Sequence, residues 1–135
     1  MKYLIDASVL VRFVRGQTDP AWDELVRRGL VSVCEPALAE TLKAADSKKY
    51  SELEELIAGK CLPVTVPDNV WEIVASIRRE LALHSAHQGP SVADLVIAAT
   101  AIRLKLTVLH EDGDFETMAR FVPELRKHLA SAGLN

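Results

Sequence analysis

A chain of 135 residues suits one domain, 1–135, and roughly two-thirds of its unfolded surface can be buried without a disulfide or metal staple. Apolar residues make up 49% and charged residues 26%, a mixture that excludes disorder. Sixteen Lys+Arg against nineteen Asp+Glu leave a net charge of −3, which argues against one large basic surface for nucleic acid. With 5% aromatic residues there is little material for stacking single-stranded bases.

The elements follow in chain order. Tyr3-Leu4-Ile5 reads as a short buried strand that ends at Asp6. Val9, Leu10, Phe13 and Val14 recur at helical spacing as far as Gly16. Asp19-Pro20 opens a second helix closed by Gly29, and Leu30–Cys34 is a second apolar strand. Pro36 suits a helix first turn, and that helix runs on to Ala45. Tyr50–Ile57 is helical with Gly59 just beyond it, and Leu62–Val66 is a short strand whose Pro63 indicates a sheet edge. Pro67-Asp68 begins a long helix with Val70, Trp71, Val74, Ile77 and Leu81. A loop at 88–91 precedes a strongly apolar helix from Val92 to Leu104. Leu106–Leu109 is a buried strand, His110–Asp114 an acidic turn, and Glu124–Ala132 a final helical stretch. Short strands with unbroken apolar runs between helices imply an α/β fold with a mostly parallel central sheet flanked by helices. Ligands of such sheets bind beyond the carboxyl ends of the strands.

Cys34 and Cys61 sit among apolar neighbours and read as free thiols of a reducing compartment. Asp6 arrives before a signal-peptide apolar stretch can develop, and no run approaches the ~18 apolar residues of a membrane span. A soluble, cytoplasmic protein with no membrane contact is expected.

Acids mark the strand ends. Asp6 follows the first strand, Glu40 lies in the helix after the second, Asp94 opens the apolar helix, and Asp112 and Asp114 follow the last strand. Singly, each has an ordinary reading: Asp94 complements a helix dipole, Glu40 is a solvated helical acid, and Asp112 and Asp114 flank Gly113 in a tight turn. Asp6 has no cation nearby in sequence. Together, converging carboxylates repel unless a countercharge joins them, and hard divalent ions such as Mg²⁺ or Mn²⁺ take oxygen ligands of this kind. Ser8, two residues after Asp6, can orient its carboxylate. His84 and His87 lack Cys or His partners at zinc spacing, and His110 adjoins the acidic turn without an assigned role.

Leu4-Ile5-Asp6-Ala7-Ser8-Val9-Leu10-Val11, Cys34-Glu35-Pro36-Ala37-Leu38-Ala39-Glu40, Ser91-Val92-Ala93-Asp94-Leu95-Val96-Ile97-Ala98-Ala99-Thr100 and Leu109-His110-Glu111-Asp112-Gly113-Asp114-Phe115-Glu116 stand in order along the chain. As a set they resemble the four acidic motifs of PIN-domain ribonucleases, and are most similar to those of the VapC toxins of bacterial VapBC pairs. The resemblance implies a three-layer α/β/α fold and an Mg²⁺- or Mn²⁺-dependent endoribonuclease acting on tRNA or rRNA. It also implies a homodimer and inhibition by a cognate VapB-like antitoxin. It assigns Asp6, Glu40, Asp94 and Asp112 to the acidic site, with Asp114 competing for the last place, and makes Asp6, Asp94 and Asp112 the candidate metal ligands. Ala7 stands where the family often has Thr, which leaves Ser8 as the only hydroxyl of the first motif.

With a negative net charge, RNA contacts must be local. Arg12 and Arg15 on the helix leaving Asp6, and Lys43 after Glu40, are the candidates. Trp71 is either a core residue or part of a dimer surface. Two other readings compete: a catalytically silent PIN-fold partner-binding module, and a receiver-type phosphoacceptor domain. The receiver wants a Lys after a late strand, where acids stand here.

Overall fold

A computed structural model describes residues 2–133. Five short strands form one sheet: β1 (Tyr3–Ile5), β2 (Val31–Val33), β3 (Leu62–Pro63), β4 (Thr107–His110) and β5 (Arg126–Leu129). Their spatial order is β3-β2-β1-β4-β5, and every pairing is parallel. Seven helices among the described residues cover the sheet: α1 (Ala7–Val14), α2 (Pro20–Arg27), α3 (Glu35–Lys43), α4 (Tyr50–Lys60), α5 (Val70–Leu83), α6 (Val92–Leu104) and α7 (Gly113–Phe121). This is a three-layer α/β/α arrangement, as the sequence predicts.

β1, β2 and β4 are buried along their whole lengths, which is why their sequences are largely apolar, with Ser32, Thr107 and His110 as buried polar exceptions. α6 is apolar all round because it lies inside: Leu95 to Ala101 are all buried, with α3, α5 and α7 packed against it. Gly16 and Gly29 end α1 and α2 at φ of +66° and +71°, a backbone conformation that disfavours a side chain. Cys34 and Cys61 are both buried and free, and burial pushes each thiol up to about 11.

The structure corrects the sequence at the C-terminal end. The stretch from Glu124 to Ala132 is not helical: Arg126–Leu129 is the edge strand β5, followed by a single 3₁₀ turn, Ala130–Ala132. Leu125 and Leu129, four apart, imitate a helical stripe. Strand β5 pairs with β4 from Thr107↔Arg126 to His110↔Leu129, and its exposed Arg126 and Lys127 suit a sheet edge. The acidic turn also continues into α7, whose Phe115 and Met118 are fully buried. Smaller shifts occur elsewhere: Gly59 lies inside α4, and only Leu62–Pro63 of 62–66 is strand, at the sheet edge as Pro63 implies. Trp71 is not core; it is 62% exposed on α5. No described helix is long and apolar enough to cross a membrane.

Candidate metal centre

Asp6 ends the most central strand. Its backbone N–H still belongs to the sheet, donating to Leu109 O at 3.1 Å, while its side chain already caps α1. The Oδ1 atom accepts from Val9 N at 3.4 Å and from Ser8 Oγ at 2.7 Å. Ser8 Oγ in turn accepts from Glu111 N at 2.9 Å. The hydroxyl therefore orients Asp6, as its spacing suggests, and also ties β1 to the loop after β4.

Asp94 stands in the first turn of α6 in a reciprocal cap. Its N–H donates to Ser91 Oγ at 3.1 Å, and its Oδ2 accepts from Ser91 N at 3.1 Å. Asp112 caps α7, its Oδ1 accepting from Asp114 N at 2.9 Å. Behind it, the fully buried His110 accepts from Asp112 N through Nδ1 at 3.1 Å. That bond puts the ring hydrogen on Nε2, which lies 3.3 Å from Glu116 Oε2, and Lys127 Nζ reaches the same oxygen at 3.1 Å. His110 thus has a supporting part that its place in the sequence does not reveal.

The three caps meet. Asp6, Asp94 and Asp112 each offer a carboxylate oxygen, and these oxygens lie within 4.8 Å of one another. All three sit where helix N-termini direct partial positive charge, which moderates their repulsion without cancelling it. Burial is the main force on Asp6 and pushes its carboxyl up to about 6, with Asp94 and Asp112 adding to it and the Ser8 and Val9 hydrogen bonds opposing it. Asp94 is also raised, chiefly by burial and then by Asp112 and Asp114, against its Ser91 bonds. Among the described residues, no Lys or Arg forms an ion pair with any of the three. An oxygen-only donor set with uncompensated charge fits a hard divalent cation.

Glu40 lines the same cleft, of about 320 Å³, together with Asp6, Ser8, Asp94 and Asp112. It is exposed on α3, the helix that packs against α1 and α6. Glu35 instead lines a separate hollow beside β3. Asp114 is not in the three-acid cluster; its carboxylate packs against Gly89, where an added Cβ would lie 2.8 Å from Oδ1. Burial, then Asp112, raises Asp114. Arg15 and Lys43 are exposed at the C-terminal ends of α1 and α3. Arg12 is half-exposed and already engaged, its Nη1 3.4 Å from Glu111 Oε2. Glu111, to which the sequence reading assigns no role, is thereby drawn into the site.

Known proteins bear on this arrangement. The family model described as PIN domain matches residues 3–121. Ribonuclease VapC2 of Mycobacterium tuberculosis is 31% identical over 134 residues, covering 95% of this chain and 92% of the relative. Ribonuclease VapC6 of the same species is 34% identical over 97 residues, covering 71% and 76%. The crystal structure of DNA-bound VapBC from Salmonella typhimurium contains a chain that superposes with a TM-score of 0.78 at 16% identity, covering 95% of this chain and 97% of that one. That last likeness concerns the fold alone.

Proposed function

Because the chain belongs to the PIN-domain family, and within it to the VapC ribonucleases, we propose that it is an Mg²⁺- or Mn²⁺-dependent endoribonuclease, the toxin of a bacterial toxin–antitoxin pair. One observation carries the reading: three carboxylates from three separate helix starts share a space of 4.8 Å with no cationic side chain paired to them.

The chain's own residues divide the work. Asp6, Asp94 and Asp112 hold the ion, and their placement in helix caps leaves little freedom to reorganise during reaction. Asp112 takes the fourth family position in preference to Asp114, whose peptide N–H steadies it. Ser8 fixes the Asp6 carboxylate. Glu40, on the open wall of the cleft, supplies a carboxylate that accepts a proton from the attacking water. When bound, the divalent ion supplies the charge that acidifies water and neutralises the phosphodiester. Arg15, Lys43 and the unshared side of the Arg12 guanidinium are the exposed cations offered to phosphates of a tRNA or rRNA substrate.

A VapB-like antitoxin is the proposed partner, supported by structural neighbours that include VapBC complexes. A homodimer is the proposed assembly, supported by Trp71 standing 62% exposed on α5. No observation favours the silent-module or receiver readings, and β4 leads into Glu111 and Asp112 where a receiver would want Lys.

The test is cleavage of total bacterial RNA in Mn²⁺ by wild type and Asp94→Asn. Asparagine keeps the shape of the Ser91 cap, so folding survives while an anionic ligand is lost. Cleavage should fall at least ~10²–10³-fold, by analogy with loss of one preorganised electrostatic group. Equal rates under matched metal, or activity undiminished in EDTA, would refute the proposal.

A further inference from the structure

Strand β4 ends at His110 and reaches Asp112 through one residue, Glu111. Both ends of that residue are occupied. Its backbone N–H donates to Ser8 Oγ at 2.9 Å, and the same hydroxyl donates to Asp6 Oδ1 at 2.7 Å. Its side chain is only 13% exposed and joins two segments far apart in sequence. Oε2 lies 3.4 Å from Arg12 Nη1 on α1, and Oε1 accepts the Ser131 N–H from the turn after β5. That turn is anchored independently, because Trp22 Nε1 donates to Ala130 O at 3.2 Å.

Geometry gives the bridge its consequence. Helix α1 begins at Asp6, and Arg12 is on the same helix, so a tie from Glu111 to Arg12 sets the loop before Asp112 against the element carrying Asp6. The Ser131 bond fixes the same carboxylate from the opposite side. A carboxylate that is largely sheltered and takes both a guanidinium and a peptide N–H is held far more firmly than an exposed ion pair. Two of the three clustered acids are thereby kept in register by a side chain that is not itself in the cluster.

We infer that Glu111 is a positioning residue: bridging Arg12 and Ser131, it holds the β4–α7 loop so that Ser8, Asp6 and Asp112 stay preset for cation binding. The inference rests on reading the acidic cluster as a metal-dependent nuclease site. It also gives the C-terminal turn at 130–132, which contributes no acid, a part in the site's geometry.

The experiment compares Glu111→Ala, Glu111→Gln, Ser8→Ala and the Ser8→Ala/Glu111→Ala double variant. Mn²⁺ affinity is measured by calorimetry, RNA cleavage at saturating Mn²⁺, and amide hydrogen exchange along the chain. Glu111→Ala should weaken Mn²⁺ binding about 10–100-fold, as loss of a group orienting metal ligands does. Exchange should quicken at Ser8, Val9 and residues 111–113 while the rest of the sheet keeps its protection. Glu111→Gln retains an acceptor for the Ser131 N–H and should recover part of the affinity. The double variant should be no weaker than its worse parent, since both residues act through Asp6. Wild-type Mn²⁺ affinity in Glu111→Ala, no rescue by Gln, or fully additive losses would overturn the inference. If the alanine variant does not fold, Gln decides alone: affinity equal to wild type overturns it, and weakened affinity supports it. If wild type itself binds no Mn²⁺ and cuts no RNA, the nuclease reading fails. The bridge is then judged by exchange, and unchanged protection at 111–113 in the folded variant overturns it too.

Discussion

Asp6→Asn should make the metal-free protein more stable while destroying its site. The Asp6 side chain is 3% exposed, and burial with two neighbouring acids pushes its carboxyl from 3.8 to about 6. Between those values the folded chain holds a proton that the unfolded chain has released. Its contribution to stability is therefore full below pH 3.8 and is lost as pH rises through about 6. Above both values the ionised carboxylate costs the fold about 3 kcal/mol. Asparagine carries no charge, keeps an oxygen for the Ser8 and Val9 donors, and turns an amide N–H₂ toward the other two carboxylates. In EDTA at pH 7.5 its unfolding midpoint should exceed wild type by at least about 5 °C, using roughly 4 °C per kcal/mol at this size and allowing for imperfect repacking. The difference should shrink toward zero near pH 4. Saturating Mn²⁺ should raise wild type by a comparable amount, about 2.7 kcal/mol at a hundred times Kd, and leave the variant unmoved. Scanning calorimetry in EDTA and in Mn²⁺ reads both. A variant no more stable than wild type in EDTA, or a gap independent of pH, would refute the argument that uncompensated buried charge defines this site.

Ser8→Ala removes the donor to Asp6 Oδ1 and the acceptor for Glu111 N, so Mn²⁺ affinity should fall about 10–100-fold; unchanged calorimetric affinity would deny the hydroxyl its role. Trp71→Glu, at a 62% exposed position, should alter the stability of one chain by less than about 0.5 kcal/mol yet convert the dimer to monomer in sedimentation equilibrium. A variant that remains dimeric would move the interface elsewhere, and a monomeric wild type would end the dimer proposal.

What the sequence discloses of this fold depends on whether a segment's local pattern agrees with its surroundings. β1, β2 and β4 are legible because all their residues are buried, so apolar residues dominate each of them. β5 sits at the edge, where Arg126 and Lys127 are exposed and interrupt any strand signal. With Leu125 and Leu129 four apart, the local pattern favours a helix, and only pairing to β4 overrides it. α7 hides for another reason: its polar first turn, Gly113-Asp114, looks like the end of an acidic loop when it is the start of a helix. Trp71 misleads by its size, since a large aromatic at helical spacing signals core unless another surface is meant to cover it.

The candidate site is legible in a different way. For Asp6, Asp94 and Asp112 the ordinary explanation holds and a shared geometry is added to it: each acid satisfies peptide N–H groups at a helix start, and each also enters one cluster. Helix capping is encoded locally, within three residues, so spacing reveals it. Convergence is encoded in the strand order, which no local pattern contains. Because β1 and β4 are neighbours with Ile5 opposite Leu109, the chains leaving them at Asp6 and Glu111 emerge side by side, and Ser8 can bridge them. Insertion of one residue between Leu109 and Asp112 would leave every local signal intact, yet it would turn the Asp112 carboxylate away from Asp6. The resemblance to PIN motifs groups the acids as a set because it carries that register implicitly; composition and periodicity alone reach the acids one at a time. Glu111 escapes even the resemblance, since its importance comes from Arg12 and Ser131, two partners that the folded chain alone brings to it.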